Sequence, residues 1–210
     1  MDLFRPVAYL SIGGNKYGLV IVDDYSRFTW VFFLFDKCQV RDKVKTFVRR
    51  AQKEFGLPIK KMRSDNGTEF KNTQVEEFLN EEGIKHEFST LYTPQQNSVV
   101  ERKNRTLIDM ARTMLDEYKT PDLFWCEAVN TACHAIDRLY LHKKFKKTSY
   151  ELLTSNKPKV SYFRVFGCKC FILNKKPKTS KFAPKVDKCF LLGYGSNEHT
   201  YRVFKKTSGS

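Results

Sequence analysis

The order of strand-like and helix-like patterns along the first part of the chain most constrains its fold. Two apolar runs typical of strands, at 17–22 and 28–35, follow a strand-like segment at 2–10. Apolar residues then recur every three or four positions over 40–55, which predicts a helix that ends at Gly56. Two hairpins followed by an amphipathic helix are typical of a sheet that packs against helices.

Single strands and helices then alternate. Strands are predicted at 59–64 and 84–88, on either side of a short helix that a capping box opens at Thr73. Two longer amphipathic helices follow, one from about residue 99 and one capped by Thr120-Pro121. The order as a whole predicts an α/β domain with a mixed five-stranded sheet and helices on both faces.

Short strand-like runs replace the helical spacing beyond Pro158. Lys- and Pro-rich turns separate runs at 163–173, 187–194 and 200–204. We therefore expect a small β module at 160–210, an α/β domain at 1–142, and a basic linker with a short helix at 143–159.

The positive charge of the chain is concentrated in its second half. The net charge is +15, and 143–188 contain fourteen Lys or Arg against two acids. Aromatic residues lie between these cations, which favours nucleic acid as the partner, although a solvated lysine-rich surface is the alternative. The cations expected to bind DNA are Lys143, Lys144, Lys146 and Lys147.

Metal-binding cysteine patterns and membrane segments are not expected. The six cysteines form no C-x-x-C pair and the four histidines no H-x(3–5)-H pair, so no zinc site is predicted. Cys168 and Cys170 would share one face of a strand, as small buried and reduced residues. No apolar run approaches the length of a membrane helix, and no signal-peptide pattern opens the chain.

Three acidic residues lie in distinctive motifs. Asp65 lies in SDNGTEF, Glu101 in TPQQNSVVERKN and Asp2 in DLFRP, and thirty-five residues separate Asp65 from Glu101. Taken singly, each acid has a structural alternative. Asp65 precedes an Asn-Gly turn, and Asp2 can fray at a chain end. Glu101 can close a capping box with Ser98.

In combination, the motifs resemble the D, D, 35-residue gap, E pattern of retroviral and retrotransposon integrases. The residues of these motifs are most similar to those of the copia-type branch of LTR retrotransposons. The strings FRVFGC and FLLGY in the β module resemble the SH3-like segment that follows the integrase core in copia-type polyproteins. The resemblance covers nearly all of the chain and implies a ribonuclease-H-like core followed by an SH3-like module.

The resemblance implies a metal-dependent polynucleotidyl transferase that processes the 3′ ends of element DNA and joins them to target DNA. Asp2, Asp65 and Glu101 would be the catalytic residues and the ligands of two Mg²⁺ or Mn²⁺ ions. Convergent carboxylates repel one another and raise each other's pKa, and divalent cations remove that penalty. The expected partners are double-stranded DNA and further copies of the chain, with the nucleus as the place of action.

The resemblance also implies DNA contacts near Glu101. A loop before the helix and the exposed face of the helix would supply them, although Arg105 can equally be a solubilising residue. The residues are Gln95, Gln96, Asn97, Arg102, Asn104 and Arg105.

Rival ligands and departures from the family pattern leave a second interpretation open. Asp23 or Asp24 could replace Asp2, whereas Glu69 is expected to pair with a surface lysine. Arg5 and Ser98 stand where the family has glycine, and we expect Arg5 to compete for the Asp2 carboxylate. The upstream zinc module and the start of the first strand are expected to be missing. The alternative function is therefore a degenerate, non-catalytic nucleic-acid-binding remnant of the same fold.

Overall fold

The computed structural model of the chain contains two compact units, residues 1–108 and 109–210, which are considered separately. The residues that the structure describes are 1–5, 9–89, 98–173, 182, 185–195 and 200–205.

The first unit begins with an antiparallel sheet of three strands. The strands β1 (Asp2–Phe4), β2 (Tyr17–Val22) and β3 (Thr29–Leu34) pair in the order β1-β2-β3. Side chains of β2 alternate between the two faces, and both faces are covered, since Leu19 and Val20 are fully buried. Asp2 lies directly opposite Val20 and therefore projects towards the same face.

Two parallel strands continue this architecture. The strands β4 (Lys61–Ser64) and β5 (Lys85–Phe88) pair with each other. The amino group of Met1, next to β1, donates to the carbonyl oxygen of Arg63 in β4 at 2.5 Å. This bond brings the start of β1 next to the end of β4. The predicted mixed sheet is confirmed, with regular ladders in groups of three and two strands.

Helices cover both faces of the strands. Helix α1 (Val40–Phe55) lays an apolar face on the sheet, where Phe47 meets the Trp30 ring at 5.1 Å between centroids. Helix α2 (Thr73–Glu81) joins the same core. Helix α3 (Ser98–Glu117) buries Val100 and Leu107 outside that core cluster. A sheet with apolar helices on two sides is the α/β fold that the sequence predicts.

Two predicted helix starts are wrong. Thr73 is the first residue of α2, and the side chain of Asn72 caps the helix by accepting a bond from the amide of Gln74. Thr120-Pro121 leads into a 3₁₀ turn, Asp122–Phe124, with no side-chain cap on it. Asn72 directly precedes Thr73 and is an equally good cap residue, so the sequence alone does not decide between them.

The second unit combines a buried helix with a three-stranded antiparallel sheet. Helix α4 (Trp125–Leu139) precedes α5 (Ser149–Thr154), and the strands β6 (Lys169–Leu173), β7 (Val186–Tyr194) and β8 (Tyr201–Lys205) follow in the order β6-β7-β8. The hydroxyl of Thr131 on α4 donates to the carbonyl oxygen of Leu192 on β7 at 3.2 Å. Helix α4 thus packs with the β module, and the division at 1–142, 143–159 and 160–210 stays a prediction.

The strand predicted at 163–173 is shorter in the structure. It begins only at Lys169, because Gly167 takes a φ of 78° and turns the chain just before it. Cys168 therefore lies outside the strand, and both Cys168 and Cys170 are half-buried rather than fully buried. The prediction that both cysteines are buried on a strand is therefore wrong: Cys168 is not on the strand, and neither cysteine is fully buried.

His134 makes the second unit sensitive to acid. Its ring stacks on Tyr194 at 4.6 Å between centroids, and burial lowers its pKa to about 4. The unfolded chain has the higher pKa of about 6.5 and takes up a proton first as the pH falls. Stability contributed by the neutral ring is therefore present above about pH 6.5 and lost as the pH falls towards 4.

We expect His134→Phe to flatten this pH dependence, because phenylalanine fills the site without titrating. The free energy of unfolding of the unaltered chain should fall by about 2 kcal/mol between pH 7 and about pH 4.5 in excess of that of the variant. Thermal unfolding at the two pH values measures the difference. The half-exposed His142 provides the control, His142→Phe, which should keep the full pH dependence. Equal pH dependence in His134→Phe would contradict the assignment.

Candidate active site

Asp2 is a half-buried carboxylate with a defined set of donors. Its Oδ1 accepts a bond from the Leu3 amide at 2.9 Å, and its Oδ2 accepts one from the Asn104 side chain at 2.6 Å. Burial raises the pKa of Asp2, and the nearby carboxylate of Asp65 raises it further. The β1–β2 ladder holds its backbone, so the expectation that Asp2 frays is wrong.

Asp65 follows β4 directly and lies in a tight turn. Its Oδ1 accepts a bond from the amide of Gly67 at 3.1 Å. A Cβ atom on Gly67 would lie 2.8 Å from the carboxylate of Glu69 and 3.1 Å from Asp65 Oδ1, so a larger residue here would displace the Glu69 side chain. Because the start of β1 lies next to the end of β4, the carboxylates of Asp2 and Asp65 are close enough to interact electrostatically.

Glu101 lies in the first turn of α3 and is exposed. Within the described part of the chain, no three His, Cys, Asp or Glu side chains stand together in a way that could hold a metal ion. The structure thus brings together two of the three predicted acids. Helical spacing nevertheless places Glu101 one turn before Asn104 on the same face of α3, and Asn104 contacts Asp2.

Asn104 has a position that the sequence did not indicate. It was predicted to contact DNA, yet only 6% of it is exposed and its side-chain nitrogen donates to Asp2. Its Oδ1 is buried with no hydrogen-bond partner among the described residues. In the sequence, the position of Asn104 three residues after Glu101 indicated that the two share a face of α3. The contact with Asp2 could not be predicted, because it depends on how α3 packs against β1.

Ser64 and His86 are a second pair that the sequence analysis missed. The Ser64 hydroxyl donates to the backbone oxygen of Asp65 at 3.0 Å and lies 3.0 Å from Nε2 of His86 on β5. Ser64 is fully buried, which excludes it as a nucleophile. The pair instead ties the backbone of Asp65 to the neighbouring strand. Finding it requires the parallel pairing of β4 with β5, which short strands do not specify.

The rival acids are engaged in local structure. Asp23 accepts bonds from the amide and the hydroxyl of Ser26, both at 2.7 Å. Asp24 pairs with Arg27 at 2.6 Å and its side chain is 83% exposed. Glu69 pairs with Lys37 at 3.2 Å, which confirms the predicted pairing with a surface lysine.

The remaining predicted site residues fall into three groups. Gln95, Gln96 and Asn97 lie outside the described residues. Arg102, Arg105 and the four lysines at 143, 144, 146 and 147 are exposed. Arg5 is also exposed, and no ion pair joins it to Asp2 in the described parts of the chain, so the expected competition for that carboxylate is wrong here.

Two protein families match the chain. Residues 1–94 match the Integrase core domain, a range that includes Asp2 and Asp65 and ends before Glu101. Residues 168–210 match the Retroviral polymerase SH3-like domain. No helix among the described residues is long and apolar enough to cross a membrane.

Two of the relatives that the chain matches are polyproteins of plant transposons. The chain is 37% identical over 203 residues to the retrovirus-related Pol polyprotein from transposon TNT 1-94 of Nicotiana tabacum, which covers 97% of the chain. It is 32% identical over 162 residues to that from transposon RE2 of Arabidopsis thaliana, which covers 77% of the chain. The chain spans only 15% and 11% of the length of these two proteins.

Solved structures support the fold. The HTLV-2 integrase catalytic core domain in complex with magnesium matches with a TM-score of 0.52 at 21% identity, over 69% of this chain and 89% of that one. A chain of the simian T-cell lymphotropic virus intasome in complex with PP2A regulatory subunit B56 gamma matches with a TM-score of 0.57 at 15% identity, over 94% of this chain and 72% of that one. The ribonuclease-H-like prediction is thereby confirmed. The chain belongs to the integrase family of copia-type retrotransposon Pol polyproteins, with an integrase core followed by an SH3-like segment.

Proposed function

We propose that the chain carries the DNA-joining centre of its polyprotein, a metal-dependent polynucleotidyl transferase for 3′-end processing and strand transfer. The observation that supports this most directly is that the carboxylates of Asp2, at the start of β1, and Asp65, just after β4, lie close enough to interact electrostatically. Burial and the charge of Asp65 disfavour ionisation of Asp2, and a bound divalent cation would remove that penalty. A fold that maintains such a pair is well suited to binding a divalent ion.

The donor set fits Mg²⁺ or Mn²⁺. Carboxylate oxygens are the hard ligands that these ions prefer, and Asp2 and Asp65 each keep acceptor capacity beyond the bonds described above. When bound, the two ions would stabilise charge on the attacking and leaving oxygens of an in-line displacement. The described residues would bind and orient: Leu3 and Asn104 hold the Asp2 carboxylate, and the Gly67 amide holds that of Asp65.

Glu101 would complete the ligand set from α3. It is exposed, and neighbours three residues apart on a helix have Cβ atoms about 5–6 Å apart. Because Asn104 fixes this face of α3 against Asp2, Glu101 stands one turn from the carboxylate pair. The ligand set is therefore Asp2, Asp65 and Glu101.

The proposed substrates are the DNA ends of the element and the target duplex. The related structures include one described as an intasome, and the chain has a net charge of +15, which favours a polyanion. Arg102 and Arg105 are exposed on α3 close to Glu101, where they can meet phosphates. Gln95, Gln96 and Asn97 remain proposed DNA contacts on the strength of the family resemblance. Assembly into multimers and action in the nucleus belong to the same proposal.

Manganese binding tests the site itself. We expect the unaltered chain to bind Mn²⁺ weakly, because ligands on separate elements leave several waters on the ion. Electron paramagnetic resonance of free Mn²⁺ measures the bound fraction. Asp65→Asn should remove most of the binding, whereas Asp24→Asn, a substitution at an exposed carboxylate, should leave it unchanged. Retained binding in Asp65→Asn combined with loss in Asp24→Asn would move the site to the rival acids.

Duplex binding tests the basic segment. If Lys143, Lys144, Lys146 and Lys147 contact phosphates, replacing all four with Gln should flatten the plot of log affinity against log salt by about 3–4, since each contact contributes about 0.9 to the slope. Fluorescence anisotropy with a labelled duplex measures it. A matched control replaces four exposed lysines of the first unit, Lys43, Lys53, Lys60 and Lys71. Equal flattening in both variants would indicate a general charge effect.

A non-catalytic nucleic-acid-binding remnant is the second candidate. Two observations favour it: Glu101 is not gathered with the other acids, and Arg5 and Ser98 replace glycines of the family pattern. Such a remnant would bind duplex DNA with the salt dependence given above and would join no strands. Strand-transfer assays therefore separate the two candidates.

A further inference from the structure

Strands β6 and β7 place two cysteines side by side in the second unit. Cys170 on β6 lies directly opposite Cys189 on β7, and their Sγ atoms are 2.9 Å apart. Directly opposed residues of an antiparallel pair project to the same face of a sheet. All six cysteines lie in described parts of the chain and none of them forms a disulfide. The two thiols are thus reduced neighbours with no residue between them.

The backbone already meets the requirements of a disulfide. Opposed residues in an antiparallel ladder have Cα atoms about 4.5–5.5 Å apart, within the range of about 4.4–6.8 Å that disulfides span. The neighbouring pairs, Lys169 with Phe190 and Phe171 with Lys188, keep the register on both sides. Closing the sulfur–sulfur distance to a bond of about 2.05 Å requires side-chain movement of less than about 1 Å and no change of register.

We propose that Cys170 and Cys189 are a modification site that a small-molecule disulfide, such as oxidised glutathione, converts to an intramolecular disulfide. The Cys170 thiolate attacks one sulfur of the oxidant, which forms a mixed disulfide and releases one thiol. The sulfur of Cys189 then attacks Cys170, forms the protein disulfide and displaces the second thiol. Two protein thiols are oxidised, one oxidant disulfide is reduced to two thiols, and the two thiol protons pass to the released thiolates.

Exposure assigns the order of the two cysteines. Cys170 is half-buried on β6, which is an edge strand of the sheet, whereas Cys189 on the central strand is only 1% exposed. Cys170 is therefore the point of entry and Cys189 the resolving cysteine. Burial and the adjacent Cys189 thiol raise the pKa of Cys170 to about 12. Entry should accordingly be slow near neutral pH and accelerate about tenfold per pH unit, because only the thiolate reacts.

The bond would join β6 to β7 covalently. Closing the loop between Cys170 and Cys189 restricts the unfolded chain and so stabilises the folded one. Oxidation should therefore raise the Tm of the second unit by roughly 10 °C. This inference does not depend on the proposed metal site, whose residues belong to the first unit.

Peptide mapping of the full 210-residue chain after incubation with oxidised glutathione, at about pH 7 and about pH 9, tests the proposal. We expect the loss of two hydrogen atoms by intact mass, a linked peptide joining Cys170 to Cys189, and reversal by dithiothreitol. Cys38→Ser, at an exposed cysteine, should keep the linkage and the pH dependence. Cys170→Ser should abolish the linkage and the rise in Tm.

Three results would contradict the proposed disulfide between Cys170 and Cys189. They are a linkage of Cys168 to Cys189, a stable glutathione adduct on Cys170 with Cys189 still reduced, and no oxidation at about pH 9. Mapping on the unaltered chain keeps the test decisive even where a cysteine variant fails to fold.

Discussion

Replacing Asp65 with asparagine is expected to abolish magnesium-dependent strand transfer. Asparagine keeps the oxygen that accepts the Gly67 amide and so preserves the turn, but it removes the charge that holds the cation. Loss of one metal ligand should remove at least about 4 kcal/mol of transition-state stabilisation, which is on the order of a thousandfold in rate. Joining of a labelled element-end duplex to a plasmid measures the effect.

The chain's departures from the family pattern require a repaired background for this assay. We expect the unaltered chain to be a poor catalyst, and Arg5→Gly with Ser98→Gly to restore transfer. Arg5 is exposed and forms no described ion pair with Asp2, so the larger share of any repair should come from position 98, next to Glu101. Glu101→Gln should abolish the restored activity and Asp24→Asn should leave it unchanged. Full transfer by Asp65→Asn would contradict the assignment.

Replacing Asn104 with leucine should weaken the metal site without changing DNA affinity. Leucine is of similar size and removes the side-chain donor to the half-buried Asp2 Oδ2. The pKa of Asp2 should then rise further, since that bond favours the charged form. We expect Mn²⁺ affinity to fall by about 10–100-fold, a typical cost of losing an outer partner of a metal ligand, and to recover partly at higher pH.

Arg105→Leu provides the matched control for this prediction. Arg105 follows Asn104 on α3 but is exposed, so its loss should weaken duplex binding and leave Mn²⁺ affinity unchanged. The opposite pattern, with DNA binding lost in Asn104→Leu and metal binding kept, would restore the DNA-contact role that the sequence predicted for Asn104.

Elements with a complete local signal could be predicted from the sequence. Strand β2 and helix α1 have the predicted bounds, because an uninterrupted apolar run defines the first and a full helical period ending at Gly56 defines the second. Helix α2 ends near its predicted stop at Gly83, yet its cap is Asn72. The strand at 163–173 was too long because the left-handed turn at Gly167 interrupts a run of strand-like residues.

The site was only partly predictable for a different reason. The motifs selected Asp2, Asp65 and Glu101, with the 35-residue gap joining the last two, and the structure brings Asp2 and Asp65 together. The roles of Asn104 and His86 depend on contacts between residues distant in sequence, such as the bond from α3 to β1, and no local pattern encodes these. The opposition of Cys170 and Cys189 likewise depends on a hairpin register that the sequence left open.

The most direct test of the account is an anomalous diffraction map of crystals soaked in Mn²⁺. The account predicts a peak at about 2.0–2.2 Å from carboxylate oxygens of both Asp2 and Asp65, with Glu101 turned towards it from α3. A peak at Asp23 or Asp24, or none beside Asp2 and Asp65 at saturating Mn²⁺, would contradict the claim that these strand-end carboxylates form the metal centre.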